Sequence, residues 1–325
     1  MHRDSMRIAA FGDINIDVVL AVDRLPRLGE EVFSTTRTEL LGGSAVNTGV
    51  VLARLGHDVA MMGAVGDDDS GRRARSLLEE AGVDTRLTGR SAALPTAMNT
   101  VIVTPDGERT MIGARGANTS YTAPPGWQEG FDWLHVSGYS LMDGIQRDSA
   151  LEVIETARLA GVPISLDVPT GVGRTVGAGL TGSFAALTVV TGSRSSLGEL
   201  TGSDQPVDHL VDAGVKRVAM TSGADPLVLA IGPGRISLTP PHVDPVDATG
   251  AGDALAAGLI AATLAGMEIG PSAVLAAGAG AAATLVTGAS ATLAGDNVWE
   301  GLLQPGLWHD ARPEWLDTVR DAVTR

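Results

Sequence analysis

Two carboxylates, Asp247 and Asp253, bracket a turn of small residues, Asp247-Ala-Thr-Gly-Ala-Gly-Asp253, and a helical pattern runs on from Ala254 to Ala265. Small residues leave the backbone N–H groups of such a turn unobstructed. A helix start adds unpaired donors and the positive end of the helix dipole. Together they make an anion site. A carboxylate at the mouth of an anion site can take the proton of a hydroxyl that attacks phosphorus. The run therefore predicts phosphoryl transfer, with Asp253 as the base.

Two further clusters could present the hydroxyl. In Gly12-Asp-Ile-Asn-Ile-Asp17, Asn15 and Asp17 alternate onto one face, and an amide beside a carboxylate can hold two or three sugar hydroxyls. In Leu41-Gly-Gly-Ser-Ala-Val-Asn47, the paired Gly42 and Gly43 permit close approach of a ligand or another backbone, and Asn47 falls in the first turn of the helix that follows.

The elements that must position these residues alternate along the chain. Strands are expected at Ile8–Phe11, Val59–Val65, Trp133–Ser137, Pro163–Asp167, Leu187–Thr191 and Arg217–Thr221. Helices are expected at Ser44–Leu55, Gly71–Ala81 and Asp148–Ala160, several of them stopped by glycine. This alternation predicts βαβ units and a mostly parallel sheet, in which ligands gather at the carboxyl ends of strands. Asp17–Leu41 and Thr96–Arg115 lack helical periodicity and carry the turn signals Pro26-Arg-Leu-Gly29 and Pro105-Asp-Gly107. They read as inserted β segments, about 17–41 and 96–115, that form a small sheet and a lid over the site. No linker or repeat divides the chain, so residues 1–325 are expected to form one domain.

Composition narrows the chemistry. The 325 residues are 44% hydrophobic but 3% aromatic, so the core must be built from Ala, Val, Leu and Ile. A net charge of −15 argues against nucleic acid or an anionic membrane as partner. With no cysteine, thiol catalysis and cysteine-bound zinc are excluded. The single lysine, Lys216, lies outside any GxxxxGK[ST] loop, so a P-loop is excluded too. Glu268 is the one charge between Ala254 and Gly295, but Gly270-Pro271 divides that stretch into pieces shorter than the roughly 20 apolar residues of a membrane span. Met1–Arg7 leads into no signal-peptide apolar region. These features lead to the expectation of a cytoplasmic protein with no membrane partner.

The three clusters occur in order, with β insertions between them, and in this the sequence resembles the ribokinase-like (PfkB family) carbohydrate kinases from about Arg7 to Ala294. The resemblance implies a three-layer αβα sandwich with a mostly parallel central sheet and a small β-sheet lid. It implies transfer of a phosphoryl group from ATP, with magnesium, to an alcohol group of a small sugar. A nucleoside kinase of the same fold is the alternative, and a non-catalytic sugar- or nucleotide-binding regulatory protein a further one. By the same match Asp253 is the catalytic base, and Gly250, Ala251, Gly252 and the Asp253 amide form the anion hole. Asn15, Asp17, Gly42, Gly43, Asn47 and Asn118 bind the acceptor. Ser193, Thr221 and Gly223, with Gly250 and Gly252, bind the nucleotide. Asp247 helps hold a monovalent cation such as potassium. Open lid edges imply a homodimer through the lid.

The chain also departs from the family pattern. The Asn-x-x-Glu tied to magnesium and phosphate stands here as Ser193-Arg-Ser-Ser196, with Glu199 displaced by three residues. The nucleotide-side Thr-x-Gly-x-x-Gly ends in Pro226 rather than glycine. Ser44 takes the place of a lysine frequent in ribokinases, which argues against ribose, and few aromatics are available to stack on a base, which favours a sugar over a nucleoside.

Overall fold

The computed structural model describes residues 5–105, 108–180, 182–286 and 296–323. Ala294, where the family resemblance ends, and Asp106 and Gly107 of the expected second turn lie outside these residues. Along the chain the strands are β1 Arg7–Phe11, β2 Asn15–Ala21, β3 Thr36–Gly42, β4 Asp58–Met62, β5 Ala64–Gly66, β6 Val83–Asp84, β7 Gly89–Ser91, β8 Ala97–Val103, β9 Arg109–Ala114, β10 Trp133–Ser137, β11 Ile164–Val168, β12 Val189–Ser193, β13 Arg217–Thr221, β14 Leu227–Ile231 and β15 Gly234–Leu238. The helices are α1 Ser44–Arg54, α2 Asp69–Glu80, α3 Gly144–Ala160, α4 Gly173–Gly179, α5 Arg194–Thr201, α6 Pro206–Asp212, α7 Ala251–Leu264, α8 Ile269–Thr284, α9 Asp296–Leu302 and α10 Pro313–Val323.

The main sheet has the order β15-β14-β13-β12-β11-β10-β1-β4-β6. It is parallel from β6 to β13, and β14 and β15 add an antiparallel edge. Successive strand residues bury themselves in opposite layers. Ile8 and Ala10 join the core under α1, α7 and α8, while Ala9 and Phe11 join the core under α3 to α6. The result is the expected helix–sheet–helix sandwich. The chain leaves β1 for β4 on one side and returns to β10 on the other, so the order reverses beside β1. The carboxyl ends of β1 and β10 flank the crevice where a ligand fits in such a sheet.

A second sheet, β3-β2-β8-β9, is built from the two inserted segments. β2 pairs antiparallel with β3 and parallel with β8, and β8 pairs antiparallel with β9.

Three local differences from expectation have physical reasons. The run Val59–Val65 breaks into β4 and β5 at Gly63, where a Cβ would stand 2.4 Å from the Gly12 carbonyl. Helix α2 starts two residues early because Asp68 caps it, Oδ1 accepting from Gly71 N at 2.7 Å. The hairpin β14–β15 was not anticipated, because its apolar run Leu227–Ile231 is equally compatible with a buried helix.

The α7–α8 pair settles the long uncharged stretch. Both helices are buried nearly all round, and they meet through small residues. A Cβ on Gly258 would sit 2.8 Å from the Leu275 carbonyl and 3.0 Å from the Ala276 Cα, so the two backbones touch there. Among the described residues no helix is long and apolar enough to cross a membrane.

Candidate active site

The sequence-derived residues gather at the carboxyl end of the main sheet. Gly250 adopts φ +79° at the start of α7, and no side chain caps that helix. Nothing lies within 4 Å of where a Gly252 Cβ would stand, so that side of the helix start is open, while the Ala251 amide donates to the Ala248 carbonyl at 3.3 Å. Asp253 follows one residue later, in the first turn. Asn47, in the first turn of α1, donates from Nδ2 to Asp253 Oδ2 at 2.7 Å, and the Thr48 hydroxyl donates to the Asp253 carbonyl at 3.2 Å. These two bonds tie α1 to α7. The Asn47 Oδ1 is buried with no partner among the described residues.

Gly42 and Gly43 are needed for close approach. A Cβ on Gly42 would fall 2.3 Å from the Asp17 Oδ2. Gly43 holds φ +115°, and a Cβ there would fall 2.1 Å from the Asp13 carbonyl. The chain thereby turns from β3 into α1 directly beside β2. Asp17 accepts from Asn99 Nδ2 at 2.8 Å, and burial pushes its carboxyl above the usual range, with the Asn99 bond opposing.

Asn118 is fully buried, and its amide is already engaged. Oδ1 accepts from Ile14 N at 3.0 Å, and Nδ2 donates to the Ile14 carbonyl at 3.3 Å and to Asn15 Oδ1 at 3.1 Å. It bonds the Ile14 backbone and the Asn15 side chain, and so fixes the turn into β2.

Several residues at the site escaped the sequence reading. Asp13, next to β1, is held by Arg115 through Nε at 3.2 Å and Nη2 at 3.3 Å, and by Gln146 Nε2 at 2.8 Å. Arg115 also reaches Asp143 at 2.7 Å and the Tyr139 carbonyl at 3.1 Å. Asp167, near the end of β11, is the most consequential omission. Its Oδ1 accepts from Thr191 at 2.9 Å and its Oδ2 lies 3.4 Å from the Ser44 hydroxyl. Burial first, and then the negative charge of Asp253, push the Asp167 carboxyl up to about 7. Burial also raises the Asp253 carboxyl, against the opposing bonds of Asn47 and Ser44. Burial, followed by the charges of Asp253, Asp167 and Asp13, raises the Tyr139 phenol. An acid ending a strand gives no local signal of this role, because its partners lie on α1, α7 and β12.

The cluster expected to bind the nucleotide is sparser. Ser193 accepts from Ser196 N at 3.1 Å and so caps α5 in place of the missing asparagine. Thr221 is in register with Ser193 on the neighbouring strand and donates to the Gly192 carbonyl at 3.4 Å. Gly223 has φ +63° with no neighbour within 4 Å of a side-chain position. Glu199 packs its Cβ against Gly173 of α4, away from the strand ends. Asp247 is nearly buried. Its Oδ1 accepts from Thr249 N at 2.7 Å and pairs with Arg109 of β9 at 2.5 Å, which links the second sheet to the anion turn.

An αβα sandwich with a second small sheet, an uncapped helix start and an adjacent buried acid defines a ribokinase-like kinase. Residues 5–294 match the model of the pfkB family of carbohydrate kinases, and the chain belongs to that family. It is a sugar or nucleoside kinase, a phosphotransferase acting on a hydroxyl. The chain is 33% identical over 232 residues to the aminoimidazole riboside kinase of Salmonella typhimurium, covering 67% of this chain and 72% of that one. It is 34% identical over 264 residues to the ATP-dependent ribose-1-phosphate kinase of Halopiger xanaduensis, covering 80% and 85%. Among solved structures, Arabidopsis thaliana ribokinase complexed with ribose and ATP superposes with a TM-score of 0.77 at 24% identity, covering 92% of this chain and 99% of that one. Fructokinase from Vibrio cholerae with fructose, ADP and calcium gives 0.74 at 25% identity, covering 92% and 100%.

Proposed function

We propose that this protein transfers the γ-phosphoryl group of ATP to a hydroxyl of a small neutral sugar, with Asp253 as the base. The observation that carries the reading is the pairing of Asp253, held by Asn47, with the uncapped start of α7 in front of open space. Phosphoryl transfer needs alignment and charge neutralisation above all. Asp253 receives the acceptor's proton as its oxygen closes on phosphorus. The amides of Gly252 and Asp253 stabilise charge growing on the transferred group. Asn15, Asp17 and Asn47 orient the sugar, and Asp17 and the unpartnered Asn47 Oδ1 accept from its hydroxyls.

The preference for a neutral acceptor follows from charge. Asp13, Asp17, Asp167 and Asp253 line this side, and Arg115, the guanidinium among them, is spent on Asp13 and Asp143. A sugar phosphate or sugar acid would meet uncompensated carboxylates. A riboside is the second reading. Tyr139, 37% exposed beside these carboxylates, offers an aromatic face to a base, whereas Trp127 is buried against Phe131.

The open helix start suits the phosphates of ATP, which Ser193, Thr221 and Gly223 would flank. Among the described residues no three His, Asp or Glu side chains form a metal cage. Magnesium would therefore come largely coordinated by the nucleotide's own phosphates and water. A monovalent cation at Asp247 would have to share that carboxylate with Arg109. The second sheet acts as the lid, and closing it excludes the water that would hydrolyse ATP. Its edge strand β9 is exposed throughout, with Met111 at 54% and Ile112 at 65%, which supports a lid-to-lid homodimer. Light scattering showing a monomer would remove the dimer.

An ADP-release screen over neutral sugars, sugar phosphates, sugar acids and ribosides, with and without potassium, tests the reading. Turnover confined to neutral sugars supports it, and turnover confined to ribosides selects the second reading. Binding with no ADP at any magnesium concentration would instead establish a regulatory protein.

A further inference from the structure

Strand β9 is exposed along its whole length, yet an arginine at each end of it reaches an aspartate of the main domain. At the base of the second sheet Arg115, the residue after β9, holds Asp13 through Nε at 3.2 Å. At the far end Arg109, the first residue of β9, holds Asp247 at 2.5 Å. The Arg109 pair differs from others in the inserted segments. Arg37 pairs with Glu39 along β3, their side chains 63% and 43% exposed, and pairs of that kind contribute little. The Asp247 side chain is 4% exposed and that of Arg109 29%. Taking a cation away from so buried a carboxylate is strongly felt.

Asp247 in turn shapes the approach to α7. The oxygen that takes Arg109, Oδ1, also accepts from Thr249 N at 2.7 Å. Val246 N and Asp247 N both donate to the carbonyl of Thr284, the last residue of α8, at 2.7 and 3.1 Å. The turn before Gly250 is thus fixed to α8 through its backbone and to the second sheet through Arg109. Charge adds another link. A carboxylate three residues before Gly250 opposes an anion at the helix start, and a guanidinium upon it offsets that charge.

We infer that Arg109 is a positioning residue for phosphoryl transfer, a cation carried by the lid that sets the turn from Asp247 to Gly250 and makes the helix start receptive to phosphate when the lid is shut. The inference rests on the reading of the α7 start as the phosphate site. By reciprocity, phosphates at that start favour the shut lid to the same degree that the shut lid favours them. When the lid lifts, Arg109 goes with it. The turn then loses a holding contact, the charge of Asp247 opposes the phosphates, and the product nucleotide is released. One guanidinium thereby ties retention of the nucleotide to exclusion of water.

The test is hydrogen exchange of the full-length protein, read by mass spectrometry over residues 108–114 and 246–254 with and without MgADP, which needs no acceptor. In the wild type MgADP should slow exchange in both segments. Arg109→Met keeps the length of the side chain and removes its charge. In that variant MgADP should slow exchange in 246–254 alone, and without nucleotide that segment should exchange faster than in the wild type. Arg109→Lys should restore part of the coupling, and Arg37→Met, a control on the same sheet, should keep all of it. In turnover, Arg109→Met should raise the KM for ATP about tenfold and increase ATP hydrolysis relative to transfer. Adding Asp247→Asn should make Arg109→Met no worse than the poorer single variant, because both break one contact. Protection of 108–114 by MgADP that survives Arg109→Met overturns the inference, as do losses that multiply in the double variant. If MgADP protects neither segment of the wild type, the phosphate site itself has been misread, which is a separate result. Circular dichroism checks that each variant is folded, and Arg109→Gln repeats the measurement if the methionine variant is not.

Discussion

The proposed acceptor side and the proposed nucleotide side of this site are built differently. On the acceptor side nearly every polar group is anchored by another. Asn118 holds Asn15, Asn99 holds Asp17, Arg115 and Gln146 hold Asp13, and Asn47 holds Asp253. On the nucleotide side Ser193 is spent on capping α5, Thr221 makes one long bond, and Gly223 has open space around it. A net set in advance loses little freedom when a ligand binds, and so it can discriminate. The sparse side relies on backbone amides and suits the part of ATP that is the same in every cycle. On the proposed reading, the difference puts specificity in the acceptor net and leaves nucleotide binding tolerant.

The largest expected effect comes from the centre of the net. Asp253→Asn should lower kcat about 10³-fold while sugar and nucleotide affinities, measured by calorimetry, change little. Next is Gly43→Ala, which forces a side chain into positive φ and onto the Asp13 carbonyl. It should cost about 3 kcal/mol of stability in a urea titration and raise the acceptor KM. Arg115→Met leaves Asp13 with Gln146 alone and should cost about 2 kcal/mol, again with a weaker acceptor KM and an unchanged KM for ATP. Smallest is Ser193→Ala on the sparse side. Losing that cap should cost about 1 kcal/mol and move the KM for ATP by less than about threefold. A tenfold rise there would break the contrast, because it would show a nucleotide side as finely set as the acceptor side.

What could be read from sequence follows the same division. Trp133–Ser137 and Arg217–Thr221 were bounded correctly, because short apolar runs at buried parallel strands carry their own limits. The clusters around Asn15, Asn47 and Asp253 were visible because each combines glycine with a polar residue beside an element start. Asp167, Asp13, Arg115 and Tyr139 were not visible. Each is an ordinary residue near the end of an element, and its meaning comes from partners brought in by the sheet order. Asn118 was found, but its bonds to Ile14 and Asn15 were not. A motif marks a position, while the hydrogen bonds to Ile14 and Asn15 hold the amide there.

The contact at Gly258 has a mechanical consequence. Helix α7 rests on α8 backbone to backbone, with no layer of long side chains between them to absorb a change. Asp253 and the amides of Gly252 ride on that same rigid rod. A methyl group added at Gly258 would displace the rod as a whole and keep the proposed base and anion hole in register with each other. It would shift both relative to Asn47 and Asp17, which belong to other elements. Sliding one helix is therefore a single adjustment by which descendants of this protein could retune the fit to a differently shaped acceptor without rebuilding the chemistry.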